Sequence, residues 1–235
     1  MINMDFKKNS EEIDISFEEI DMSFEEYYNR LIEIVRDTAH EAYMMDVILP
    51  LLRMCCVNEI KVVPVFDDRA VGRKTNKERK VLDRMKTISA PNGSSYVVPD
   101  YIFVPKAYSY RNYMKPLLMV ETKLPNIVIK DDSLLYVDLN DSFRKYDSQI
   151  KAEINACKYV VVTDGFTWLF LTKDKNGEII EDKHYRSVSL LRKGKHNRKI
   201  YEVSKKVNPP EWEKIPETIK SLLEELKPSK AYWRS

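Results

Sequence analysis

Two acidic side chains and one lysine have the types and spacing for metal-assisted hydrolysis of a phosphodiester. Glu121-Thr122-Lys123 follows the apolar run Leu117-Leu118-Met119-Val120, and Pro99-Asp100 lies 21 residues before Glu121 within a run rich in aromatic and β-branched residues. Such hydrolysis needs carboxylates converging on a divalent cation and a group that positions or deprotonates the attacking water. In an extended strand alternate side chains share a face, so Glu121 and Lys123 project together while Thr122 turns away, leaving its carbonyl to face the same cation. Asp100, read as the middle of the preceding strand, is costly to bury unless paired or metal-bound. The acid-x-Lys spacing alone carries no weight, because Asp5/Lys7, Glu59/Lys61, Glu78/Lys80, Glu181/Lys183 and Glu225/Lys227 share it. The apolar run and the upstream Pro-Asp set Glu121/Lys123 apart.

The elements that must position these groups follow from periodicity. A seven-residue repeat, Ile13-Asp-Ile-Ser-Phe-Glu-Glu and Ile20-Asp-Met-Ser-Phe-Glu-Glu, places Ser three residues before Glu in both copies, the pattern of a capping box. Apolar residues then recur at helical spacing from Tyr27 through Leu31, Val35, Tyr43 and Ile48 to Leu51, predicting a long first helix interrupted at most once, with Pro50 near its end. Ile60–Phe66 and Tyr96–Val104 read as strands, with a basic helix from Thr75 to about Met85 between them, and Pro116–Lys123 reads as a buried strand. Residues 142–156 have a helical pattern. Asp164-Gly165 between Tyr159–Thr163 and Trp168–Thr172 predicts a hairpin, and Ile219, Leu222, Leu223 and Leu226 mark a last amphipathic helix. The order helix, strand, strand, strand, helix, strand, strand predicts an α/β (α+β) fold, a central mixed β-sheet flanked by helices. We expect an acidic arm over residues 1–22 and one domain over 23–235 with a basic C-terminal extension.

No stretch approaches the roughly 20 apolar residues of a membrane span, and the opening lacks the basic start and apolar core of a secretory signal, so a cytoplasmic protein is expected. Cys55, Cys56 and Cys157 have no C-x-x-C spacing and read as core thiols. Residues 1–26 hold nine acids against two lysines, so a net charge of +2 hides a basic remainder, dense over Arg69–Lys86 and again over Lys183–Lys206. Basic patches of this kind suit a phosphate backbone. The acidic arm could then cover them until nucleic acid displaces it. P-loop and dinucleotide-binding signatures and a serine nucleophile elbow are absent from the sequence. His40 reads as structural, and Tyr185 and Tyr201 as packing residues.

Pro99-Asp100 with Glu121-Thr122-Lys123, in this element order, resembles the PD-(D/E)xK nuclease superfamily over roughly residues 24–172. Gln149 followed by Thr163-Asp164-Gly165-Phe166-Thr167-Trp168 is similar to the N-terminal nuclease domain of type I restriction enzyme R subunits. This chain departs from that pattern in carrying Glu153 where a tyrosine is usual, and no helicase motor follows. The resemblance implies a restriction-endonuclease-like core in which Asp100, Glu121 and the Thr122 carbonyl hold Mg²⁺ or Mn²⁺. It implies that Lys123 activates water and counters phosphorane charge. It adds an acid from the first helix, best matched by Glu41 and next by Asp46, and a catalytic role for Gln149. Lys145, Lys151, Arg73 and Lys74 are the expected nucleic-acid contacts. The implied substrate is DNA in preference to RNA, cut in restriction, defence or DNA processing, with no membrane partner. A homodimer, or a separate specificity or motor subunit, remains open. The contrasting expectation is a nuclease-fold protein that binds nucleic acid or a partner without cutting.

Overall fold

The structure is a computed structural model that describes residues 22–37, 41–65, 99–108, 115–130, 133–137, 139, 143, 147–191, 200–202 and 211–227. The acidic arm before Met22, the basic stretch with Arg73 and Lys74, the predicted helix 75–85, His40 and Lys145 lie outside these residues. The first helical pattern forms two helices, α1 (Phe24–Asp37) and α2 (Glu41–Met54), with Pro50 inside the second. Ser23 caps α1 by accepting the Glu26 N–H at 3.2 Å, as the second copy of the repeat predicts.

Five strands follow: β1 (Ile60–Pro64), β2 (Tyr101–Pro105), β3 (Leu118–Thr122), β4 (Asn126–Lys130) and β5 (Ser133–Val137). Then come α3 (Asp147–Cys157), β6 (Val160–Thr163), β7 (Thr167–Lys173), β8 (Ile179–Glu181), β9 (Val188–Ser189), β10 (Ile200–Glu202) and α4 (Lys214–Leu226). The protein is therefore a mixed α/β chain with four helices among the described residues. Its central seven-stranded sheet runs β1-β2-β3-β6-β7-β8, and β9 also pairs with β7. β3 and β6 are parallel, and the other pairs in this sheet are antiparallel.

Two expectations need correction. β4 and β5 form an antiparallel hairpin that, with β10, makes a separate three-stranded sheet absent from the predicted order. Asp100 does not stand mid-strand, because β2 begins at Tyr101. Pro99 has no N–H to give a ladder, so regular pairing is not continued through it.

The core lies on both faces of the central sheet, and strand alternation sorts the residues between them. Tyr101, Phe103, Leu118, Val120, Val161, Trp168 and Phe170 join the side chains of α1, α2 and α4. Ile102, Val104, Met119, Val160, Val162, Leu169 and Leu171 face Ile150, Ile154 and Cys157 of α3 instead. Burying a side chain of this size contributes roughly 1.5–3 kcal/mol, so both layers hold the sheet. Cys55 and Cys157 are buried free thiols within these layers, as expected.

The Asp164-Gly165 turn is tightly enclosed. Gly165 has φ +85°, and a Cβ there would lie 2.6 Å from Leu31 Cδ2, so only glycine suits both the backbone and the space. Its carbonyl accepts from the Tyr27 hydroxyl at 2.9 Å. Asp164, itself buried, accepts from the Tyr136 hydroxyl at 2.6 Å and from the N–H groups of Phe166 and Thr167 at 3.1 and 2.8 Å. Tyr136 belongs to β5, so the hairpin turn ties the small sheet to the large one.

Candidate active site

Continuing the alternation of β3 explains where its polar end points. Met119 faces α3, so Glu121 and then Lys123 project toward the same helix, while Thr122 follows Leu118 and Val120 to the other face. All three are buried. Lys123 sits one residue beyond the strand and stays in line because its N–H donates to Thr163 O of β6 at 2.7 Å. The ammonium of Lys123 is ion-paired with Glu121 Oε1.

Asp100 reaches the same place from β2. The register pairs Tyr101 with Val120 and Ile102 with Met119, so one further step sets Asp100 opposite Glu121. There its Oδ2 accepts the Thr122 N–H at 2.6 Å, taking over as acceptor where the ladder stops.

α3 supplies the remaining wall. Gln149 and Glu153 are one turn apart and face β3. Lys123 Nζ donates to Gln149 Oε1 at 3.3 Å, and Gln149 Nε2 donates to Glu153 Oε1 at 3.1 Å. Lys151, two residues from Gln149, does not share this face of the helix. Glu41 is the first residue of α2, and its side chain lies outside the described residues. Asp46, on the exposed side of α2, is not placed with Glu121: α2 packs on the other face of the sheet, where the Tyr101 hydroxyl donates to Met45 O at 2.5 Å and feels both Asp46 and Asp100 electrostatically.

Burial dominates the electrostatics. It raises the Glu121 carboxyl above its ordinary range, and the neighbouring Lys123 ammonium opposes that rise. Glu153 is 0% exposed. Its carboxyl is pushed up well above the ordinary value by burial and then by the adjacent Glu121. The two carboxyls lie side by side, and the proton that Glu153 keeps is shared with Glu121; no other group bonds Glu121 Oε2 or Glu153 Oε2 among the described residues.

Among the described residues, no three His, Cys, Asp or Glu side chains form a ready cage for a metal ion. Mg²⁺ does not need one, since it keeps several waters and is commonly bound through one or two carboxylates plus substrate phosphate. Asp100 and Glu121, opposite each other across β2 and β3, offer two carboxylates of the hard-oxygen kind that fits such an ion.

The sequence pattern therefore anticipates Asp100, Glu121, Lys123 and Gln149, which the fold brings together, and misses Glu153. Its signal was the i,i+4 spacing to Gln149 next to apolar Ile150 and Ile154, visible only as a departure from the tyrosine usual in the resemblance. Tyr185, the aromatic of the second basic patch, donates to Glu225 Oε2 of α4 at 2.8 Å, a packing role. No helix among the described residues is long and apolar enough to cross a membrane. No family model matches the chain, and neither a curated protein nor a solved structure shows significant similarity to it.

Proposed function

We propose that this chain is a PD-(D/E)xK-type nuclease with a restriction-endonuclease-like core, hydrolysing phosphodiester bonds, in DNA rather than RNA, with Mg²⁺ or Mn²⁺. The observation that carries this reading is the meeting of Asp100, Glu121 and Lys123 at adjacent ends of β2 and β3. Asp100 and Glu121 would hold the cation, with the Thr122 carbonyl on the same segment. When bound, the ion supplies Lewis-acid polarisation of the phosphoryl group and lowers the pKa of water. Lys123, held against Glu121 and Gln149, orients the attacking water and counters charge developing on the phosphorus oxygens. Burial strengthens both effects, because charges act over a lower effective dielectric there.

Incubating the purified protein with supercoiled plasmid and Mg²⁺ or Mn²⁺, beside single-stranded DNA and RNA, tests the proposal. Nicking that needs the divalent ion and disappears in folded Glu121→Ala and Lys123→Ala proteins is the expected result. Cleavage that survives both substitutions, or binding of nucleic acid with no cleavage under any ion, would overturn it.

A further inference from the structure

We infer that Glu153 is a positioning residue that sets the orientation of the Gln149 amide and, through it, the place of the Lys123 ammonium; this rests on the nuclease reading of the site. A glutamine side chain has a donating and an accepting end. Lys123 can only donate, and it faces one end at 3.3 Å; Glu153 Oε1 faces the other at 3.1 Å as an acceptor. Only one amide orientation satisfies both partners. The reverse would set an NH₂ group against an ammonium, which cannot accept, and would take from Glu153 Oε1 the N–H it accepts.

Without Glu153, the carbonyl-inward orientation would keep Lys123 and Glu121 as its partners but lose the acceptor one turn along its own helix. Glu153 is fully buried beside apolar Ile150 and Ile154, a place where an acid costs stability and a leucine would not. Its acceptor oxygen gives that expensive placement a use. With Gln149 locked, the Lys123 ammonium is confined between Glu121 Oε1 and Gln149 Oε1. Residues that orient a group at a site in this way typically alter activity by about 10–100-fold when removed.

The test compares Glu153→Leu, Glu153→Gln, Gln149→Leu and the Gln149→Leu/Glu153→Leu double variant, each first checked for a cooperative melt, with Glu153→Met standing in where leucine does not fold. The Gln149 side-chain amide is followed by NMR in the protein alone, and plasmid nicking is measured with Mn²⁺. We expect slow exchange of the Gln149 amide protons in the wild type, lost in Glu153→Leu and kept in Glu153→Gln, which still offers an acceptor carbonyl.

In cleavage, kcat falls roughly 10–100-fold in Glu153→Leu with KM changed less than about twofold, and Glu153→Gln restores most of it. The double variant is no slower than Gln149→Leu, because Glu153 acts through that residue. Losses that multiply, a Glu153→Gln protein as slow as Glu153→Leu, or Mn²⁺ affinity that drops when Glu153 is removed would each overturn the inference. A Gln149 amide indifferent to Glu153 overturns it whatever the cleavage result. An amide that responds in a wild-type protein that cuts nothing would instead remove the nuclease reading and leave the orientation standing.

Discussion

Asp100 is joined to Thr122 by a 2.6 Å hydrogen bond from the Thr122 N–H to its Oδ2, so the aspartate completes the sheet at the point where β2 stops pairing with β3. One carboxylate thus has a structural and a chemical duty, and substitution separates them. Asparagine keeps an oxygen for the N–H but loses the charge. Asp100→Asn should melt close to the wild type yet cleave about 100-fold more slowly or worse, as a metal-site residue should. Asp100→Ala should lose as much activity and also about 1–3 kcal/mol of stability, the cost of a buried donor left without its partner. Thermal melts beside cleavage rates check both. Full activity in Asp100→Asn would remove Asp100 from the metal site.

Lys123 neutralises Glu121 in a buried setting, so its removal leaves a carboxylate with only the Gln149 and Glu153 hydrogen bonds to offset burial. Lys123→Met should cost about 3 kcal/mol at mildly alkaline pH. The deficit should shrink as pH falls, because Glu121, whose pKa burial already raises, then takes up a proton. Cleavage should fall about 10²–10³-fold if the ammonium stabilises charge in the transition state. Denaturant titrations at several pH values, beside single-turnover rates, measure both; a stability loss independent of pH would contradict the ion pair.

Glu153 supplies a linkage test in the metal-free protein. Its pKa in the fold lies above the ordinary 4.5, through burial first and then Glu121. A carboxyl that holds its proton longer in the fold favours folding at low pH. It becomes a cost as pH rises through the ordinary value toward the raised one. Glu153→Gln, which cannot ionise, should therefore be more stable than wild type at neutral pH, with the gain disappearing as pH drops below about 4.5. Equal pH profiles for the two proteins would show that Glu153 is not perturbed.

Gly165 tests the turn that joins the two sheets. Gly165→Ala forces a side chain into positive φ and against Leu31, so it should cost at least about 1–3 kcal/mol in a denaturant melt. A neutral result would mean that the turn relaxes freely. Losses at this position should lower stability without changing the metal dependence of any cleavage, since the Lys123 side chain is held by Glu121 and Gln149 and Asp100 by the Thr122 N–H.

Much of the site could be read from period two and burial cost. Glu121 and Lys123 fall on one face at the end of an apolar run, and a Pro-Asp marks the approach of the neighbouring strand. The boundary of β2 could not be read, because aromatic and β-branched residues before Asp100 carry the same propensity as those after it, while a side chain rather than the ladder holds the Thr122 N–H. The β4–β5 hairpin was missed for a different reason. Its connection carries Asp131-Asp132, which lacks the glycine of the strongest hairpin signals. Glu153 stood out only as a departure from the resemblance, because helical spacing marks a face without saying which strand residues it meets. The partner of that face is set by the parallel pairing of β3 with β6, a contact between segments far apart in the chain.

The central claim is that Asp100 and Glu121 share a divalent ion, and a crystal soaked in Mn²⁺ tests it most directly. We expect an anomalous peak between the two carboxylates, about 2 Å from an oxygen of each, weakened in Glu121→Ala crystals. A well-ordered site with both carboxylates in place and no peak, or Mn²⁺ bound elsewhere while cleavage proceeds, would contradict it.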